Sequence, residues 1–450
     1  MNLAVPEPVH TFVEKFSTSL DKRKVMIFPL LLSCFLLCRG PKSYAGLARS
    51  ITVQERNRSS LCRFFRRQRL RSRNIYEDAM NCVLEQWYDH GKVDEPVIWF
   101  LAIDGVCSKR GGFSKIDNAT KYRRKRKDKG PSTKAHTFIQ ALLITHTGMR
   151  IPLPRRTYYT RKYCRKHLRK YVKMTQLSAL IIETVHVPPM VSVVVVADEF
   201  FEGKLLDGAC NKRGFTYITP VDRRRCMENR QGERASQTLY RHGKSLDRKK
   251  LTKIVFAPYR ERTALLRRRT GGDKKQRVYF ATSEKLRVSG LGERTVVFSW
   301  KPRTKSRRWK SSWFKVLVSN ATKSDAKKLI EYYELRWQIE IFFRELKSFM
   351  GLVDFTGEDF EAYERFVDMV LLAYLFLEWY RVQLLSTCSS KKECSELQRV
   401  RTRSLLRLIQ SAADKASVKY ISECGKNKQA MDKLLSSVSR TTSNNSRLKW

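Results

Sequence analysis

Four residues with chemically useful side chains, Tyr333, Arg336, Glu340 and Lys347, stand at offsets of 0, 3, 7 and 14 in the segment YYELRWQIEIFFRELK. At about 100° per residue on one helix they fall within about 60° of each other, with Ile339, Phe342, Phe343 and Leu346 supplying an adjacent apolar side for packing. One acid between two cations and a phenol suits work on phosphodiesters. Glu340 can complete a carboxylate set, Arg336 and Lys347 can hold phosphates, and Tyr333 can orient one. Two further acids end long apolar runs: Asp104 follows Val97–Ile103 and Asp198 follows Val191–Ala197. Ligands of α/β sheets gather at the carboxyl ends of strands. Carboxylates close together repel unless a cation lies between them, and Mg²⁺ takes oxygen ligands that it shares with substrate phosphates. The plainer alternatives are a helix N-cap or surface turn for each aspartate and an ordinary i,i+4 ion pair from Arg336 to Glu340.

The elements that must position these residues follow from hydropathy. Val97–Ile103 and Val191–Ala197 read as central strands, because a continuous apolar run of this length suits burial on both faces. Thr137–Ile144, Phe215–Pro220 and Trp313–Ser319 are further strands of the same core, with helices over Thr175–Thr184 and Phe200–Lys212. Ser324 or Asp325 can cap one helix running to about Met350, with Gly351 just past its end. Short β-rich pieces at Leu251–Phe256, Arg277–Thr282 and Thr295–Trp300 alternate with basic, Gly-containing turns, so residues 222–300 read as a β-rich insertion hung on the core. Residues 1–90 form a helical domain expected to contact DNA. Residues 91–221 and 301–385 make the two parts of an α/β core, and 386–450 form a polar, basic tail with an amphipathic helix near Ser404–Ala412.

Composition narrows the partners. The 450 residues carry 91 Lys and Arg against 43 Asp and Glu, a net charge of +48. The chain is too rich in apolar residues (42%) and aromatic ones (11%) to be a disordered basic tail. Charge of this size calls for a polyanion, nucleic acid ahead of an anionic membrane. Basic clusters at Lys121–Lys129, Arg161–Lys170 and Lys301–Lys310 suit phosphate backbones or a solvated surface. Eleven cysteines without a CxxC pair suggest reduced structural thiols rather than a zinc ribbon. The apolar runs Val25–Cys38 and Met369–Trp379 fall short of the roughly 20 residues that a bilayer span needs, and no membrane segment is expected.

The spacing Y-x2-R-x3-E-x6-K, complete at Tyr333, Arg336, Glu340 and Lys347, resembles the signature of insertion-sequence transposases of the DDE superfamily, in the IS-four-like group. Asp104 in FLAIDG and Asp198 in VVVVAD resemble the first and second acids of such enzymes, and the likeness extends over about residues 90–385. Many relatives carry Asp or Thr in the turn where this chain has Gly105 to Lys109. The resemblance implies an RNase H-like mixed sheet core with helices on both sides, a β-rich insertion and an N-terminal helical domain. It implies that Asp104, Asp198 and Glu340 hold two Mg²⁺ ions, which Mn²⁺ can replace, and that Tyr333, Arg336 and Lys347 bind DNA phosphates. A tryptophan near the end of the insertion, Trp300, Trp309 or Trp313, would stabilise a flipped base. The implied activity is cleavage of transposon ends and strand transfer. The partners are double-stranded DNA with terminal inverted repeats, target DNA and a second copy in a synaptic homodimer, in the cytoplasm of a prokaryotic cell at its nucleoid. A noncatalytic nucleic-acid-binding protein and a domesticated inactive transposase are the competing readings.

Overall fold

The computed structural model describes the chain apart from residues 1–3, 18–19, 21, 51–57, 67–71, 91–96, 111–115, 123–132, 223, 230, 232, 257–276, 302–312, 323, 388–401, 427–428 and 430–450. The basic clusters at Lys121–Lys129 and Lys301–Lys310, and Trp309, fall largely or wholly outside the described residues. The chain divides into two compact units, one of residues 93–106 and 137–342, the other of residues 1–92, 107–136 and 343–450.

The first unit is built on a mixed sheet. Its strands are β1 (Val97–Arg110), β3 (Thr133–Ile144), β6 (Val191–Ala197), β7 (Thr216–Pro220), β11 (Arg277–Val288), β12 (Gly292–Trp300) and β13 (Phe314–Ser319), in the order β3-β1-β6-β7-β13-β12-β11. Short strands extend or edge it: β4 (Arg150–Pro152), β5 (Arg156–Thr157), β8 (Cys226–Glu228), β9 (Arg234–Thr238) and β10 (Thr252–Phe256); β2 (Thr120–Tyr122) falls among the residues of the second unit. The apolar runs occupy its centre, where Trp99 to Ile103 and Val195 to Ala197 are almost wholly buried. β1 and β6 pair in parallel from Val97↔Val191 to Ile103↔Ala197, and β7 runs parallel beside β6. β13 and β12 then join antiparallel. Residues 222–300 supply strands, and β12 pairs with β13 from Thr295↔Ser319 to Trp300↔Phe314, so they prolong the core sheet. Strand β1 also runs beyond its apolar stretch, which places Asp104 within the strand instead of at its end.

Helices of this unit are α6 (Arg161–Lys166), α7 (Met174–Thr184), α8 (Lys204–Arg213), α9 (Leu239–Ser245) and α10 (Ala326–Glu334), with α11 (Trp337–Ser348) beginning in it. Asp325 caps α10 by accepting the Lys328 N–H at 2.7 Å. Its buried Leu329 and Ile330 face a sheet layer that includes β6, β7, β11 and β12, and Tyr332 meets Phe100 edge-on at 5.0 Å. The expected single helix to Met350 is two helices. Leu335 and Arg336 form a tight turn in which Leu335 N–H donates to Tyr332 O and Arg336 N–H to Tyr333 O, i→i+3 bonds that end α10 before α11 starts.

The second unit is helical. α1 (Glu7–Glu14), α2 (Lys22–Leu37), α3 (Tyr44–Ala48), α4 (Arg58–Arg66) and α5 (Ser72–His90) come from the N-terminal region, α12 (Phe360–Ser386) and α13 (Thr402–Gly425) from the C-terminal one. α12 is long and apolar enough to cross a membrane by length and composition, but Phe360 to Trp379 are nearly all buried against α1, α2, α4 and α5. Phe12 packs on Phe376 and Trp379, and Phe35 and Phe65 pack on Phe366. Polar contacts inside include Ser72 donating to Asp368 at 2.6 Å and Arg365 donating to Phe65 O at 2.7 Å. The described cysteines of the chain are free thiols.

Candidate active site

The register of the two parallel strands brings the first two acids together. Ile103 pairs with Ala197, so Asp104 and Asp198 follow one another's neighbours on adjacent strands, which lie about 4.8 Å apart. Neither carboxylate is spent as a helix cap. Asp104 lies in β1, where its Oδ1 accepts the neighbouring Gly105 N–H at 2.7 Å. Asp198 starts the short 3₁₀ turn Glu199–Phe201 through its backbone carbonyl, and its side chain makes no cap bond.

The third acid arrives by way of the α10–α11 break. Glu334, at the end of α10, is held by the Arg277 guanidinium and by Tyr279, whose hydroxyl donates at 2.8 Å. Both members of this ion pair are buried, with side chains 9% and 7% exposed, and they tie the end of the helix to β11. The turn then aims Arg336 at the acids. One guanidinium nitrogen lies 3.6 Å from Asp104 Oδ2 and another pairs with Glu340 Oε1 in the first turn of α11. The ordinary i,i+4 pair is thus present, and the same cation also spans to a carboxylate 232 residues earlier.

Electrostatics tie the group together. Burial pushes the Asp104 carboxyl up to about 6; Arg336 and the Gly105 N–H oppose this rise, and the Asp198 and Glu340 charges add to it. Burial disfavours the charged Arg336, but Tyr333 and the three carboxylates Glu340, Asp198 and Asp104 hold its guanidinium above the ordinary value. Burial likewise raises the Tyr333 hydroxyl, so it stays protonated as a donor. Lys315 of β13 stands 5.9 Å over the Tyr333 ring.

Asp104, Asp198, Tyr333, Arg336 and Glu340 therefore meet in the sheet unit. Lys347 is exposed on the last turn of α11, two turns beyond Glu340. Trp300 and Trp313 are buried, 7% and 6% exposed, and Trp300 packs on Phe314 with centroids 4.4 Å apart. A cleft of about 150 Å³ adjoins Asp198, lined among others by Asp222, Tyr240, Phe314 and Lys315. Sequence reading did not single out Lys315 or Tyr240, although a lone cation within WFKVLVS is a signal for a side chain facing away from the core.

The donor chemistry fits a hard divalent cation: three carboxylates, no sulfur and no imidazole. Among the described residues no three His, Cys, Asp or Glu side chains are closed into a metal-holding group. Between Asp104 and Glu340 the Arg336 guanidinium stands as the cation instead. Asp104, Asp198 and Glu340 are the residues that could hold such an ion.

A mixed α/β sheet thus carries acids on two adjacent parallel strands, with a third acid on a later helix beside them. The Transposase DDE domain matches residues 95–376, which include all three acids, and the chain belongs to that family. No curated protein matches it.

Proposed function

We propose that this chain is an active transposase of the IS-four-like group that cuts DNA at transposon ends and joins the freed 3′ ends to target DNA. The observation that carries the reading is the meeting of Asp104, Asp198 and Glu340 around the Arg336 cation. The strand order β3-β1-β6-β7, with β1, β6 and β7 parallel, supports an RNase H-like core. The family supplies the DNA substrate.

Asp104, Asp198 and Glu340 would hold two Mg²⁺ ions, or Mn²⁺ in their place. Bound there, such ions supply Lewis-acid chemistry, favouring the deprotonated attacking oxygen and offsetting charge on the leaving one. The side chains do the rest. Arg336 leaves the acids for a phosphate near the scissile bond, which frees Asp104 and Glu340 as ligands. The protonated Tyr333 hydroxyl donates to a phosphate oxygen, and Lys347 adds a second cation along α11. Water attacks phosphorus and the 3′ oxygen leaves. In the second step that 3′-OH attacks a target phosphodiester, one P–O bond forming as another breaks. The substrates are duplexes with terminal inverted repeats, held in a synaptic homodimer at the nucleoid of a prokaryotic cell.

The test is cleavage and strand transfer on a duplex that ends in the inverted repeats flanking the gene, with Mg²⁺. Wild type is expected to cut and join, and Asp104→Asn to do neither. Binding without any metal-dependent cutting by the wild type would favour a noncatalytic DNA-binding protein.

A further inference from the structure

The segment between β5 and α7 takes no part in the site above, yet it has an unusual build. No Asp or Glu occurs between Asp128 and Glu183. Within Arg161–Lys170 all six Lys and Arg side chains are exposed. Thr160 caps the start of α6 by accepting the Tyr163 N–H at 3.2 Å. The helix ends in a Schellman turn, in which Arg169 N–H donates to Cys164 O at 2.9 Å and Leu168 takes the left-handed position with φ 50°. Glycine is the usual occupant of that position, because a Cβ is disfavoured there.

Leu168 is also 96% exposed, the highest value among the large apolar side chains of the described residues. Local backbone preference and the hydrophobic effect both oppose this arrangement, and strain of this kind gathers where a chain meets a ligand. The turn is nevertheless stiff. Tyr159, Tyr163 and His167 stack in series with centroids 5.5 and 4.2 Å apart. The Arg169 guanidinium lies 4.9 Å over the Tyr159 ring, and Arg161 lies 5.0 Å over Tyr171.

We propose that this knob docks on double-stranded DNA, its exposed cations on the phosphates and Leu168 inserted into a base step. The inference rests on the DNA-processing reading above and adds to it a place of contact and a deformation. Exposed cations in a stretch of sequence that holds no acid match a phosphate backbone, which supplies affinity but little sequence information. An apolar side chain on a rigid support is how proteins unstack and kink a duplex. A bilayer would ask for a broad apolar face, and a six-residue helix with one exposed leucine does not offer one.

The test uses the full chain in EDTA, so that binding is read without cutting. A set of terminal-repeat duplexes carries 2-aminopurine at each step in turn. Wild type is expected to raise the fluorescence at one step severalfold. Leu168→Gly and Leu168→Asn both suit the left-handed backbone, so they should fold with equal or higher thermal stability. They should lose the fluorescence gain and bind about tenfold more weakly. The double variant Arg165→Gln/Lys166→Gln should keep the unstacked step while lowering the slope of log K against log salt by about 1.8. If the wild type binds duplex and the Leu168 variants bind and unstack it equally, this inference alone is overturned. If the wild type binds no duplex, this inference and the DNA-processing reading fall together. Loss of binding to phosphatidylserine vesicles, with DNA binding unchanged, would overturn it in favour of a membrane contact.

Discussion

Replacing Asp104 by Asn should stabilise the metal-free protein while abolishing its activity. The Asp104 carboxyl rises from the ordinary 3.8 to about 6, chiefly because it is buried. The folded protein therefore binds this proton more tightly than the unfolded chain does. Stability falls as pH climbs from 3.8 towards 6 and then levels off. The full difference corresponds to about 3 kcal/mol above pH 7, with about half of it developed at pH 5. The side chain is 23% exposed, and solvent screening brings the expected gain for Asn to about 1–2 kcal/mol. For a protein of this size that is a rise in Tm of about 1–2 °C. The assay is thermal unfolding in EDTA at pH 7.5 and at pH 5, wild type against Asp104→Asn. The reasoning is refuted if the variant is no more stable than wild type at pH 7.5, or if its advantage is as large at pH 5. Ca²⁺ should add to the contrast by stabilising the wild type at pH 7.5 and leaving Asp104→Asn unchanged.

Other substitutions probe the supports of the site. Glu334→Ala leaves the Arg277 guanidinium buried without its carboxylate and should lower stability by about 3–5 kcal/mol, read from denaturant unfolding. An effect below about 1 kcal/mol would mean that the α10–α11 turn is fixed by other contacts. Lys347→Ala should weaken DNA binding, lower the log–log salt slope by about 0.9 and slow cutting, as one lost phosphate contact requires. Glu340→Gln should bind DNA within a few-fold of wild type and fail to cut it, measured by gel shift and cleavage on the same duplex. A loss of binding as large as the loss of cutting would assign the helix to clamping DNA instead.

What could be read ahead of the structure was local. VIWFLAI and VSVVVVA announce buried central strands because both faces are covered, and in the structure these strands pair in parallel with the two aspartates just beyond the paired runs. The break between α10 and α11 had no such signal. Neither Leu335 nor Arg336 is a helix breaker, and the turn coincides with Glu334 bonding to Arg277 and Tyr279, 57 and 55 residues earlier in the chain. A helical wheel drawn through the break groups the right side chains for the wrong reason: the turn, rather than a continuous helical face, lets Arg336 reach Asp104 and Glu340 together. Trp300 and Trp313 show the same limit. Tryptophan at the edge of a strand can stack on a base or fill a core, and only the pairing of Trp300 with Phe314 places it in the packed sheet. The strands of residues 222–300 are plain from composition, but their continuity with the core depends on the partner that β12 finds in β13.

The most direct measurement of the central claim is anomalous diffraction from crystals of the protein bound to terminal-repeat DNA and soaked in Mn²⁺. The account predicts Mn²⁺ peaks bounded by the Asp104, Asp198 and Glu340 carboxylates, with the Arg336 guanidinium moved onto a DNA phosphate. Mn²⁺ bound elsewhere, with Arg336 still joining Asp104 to Glu340 beside the DNA, would contradict it.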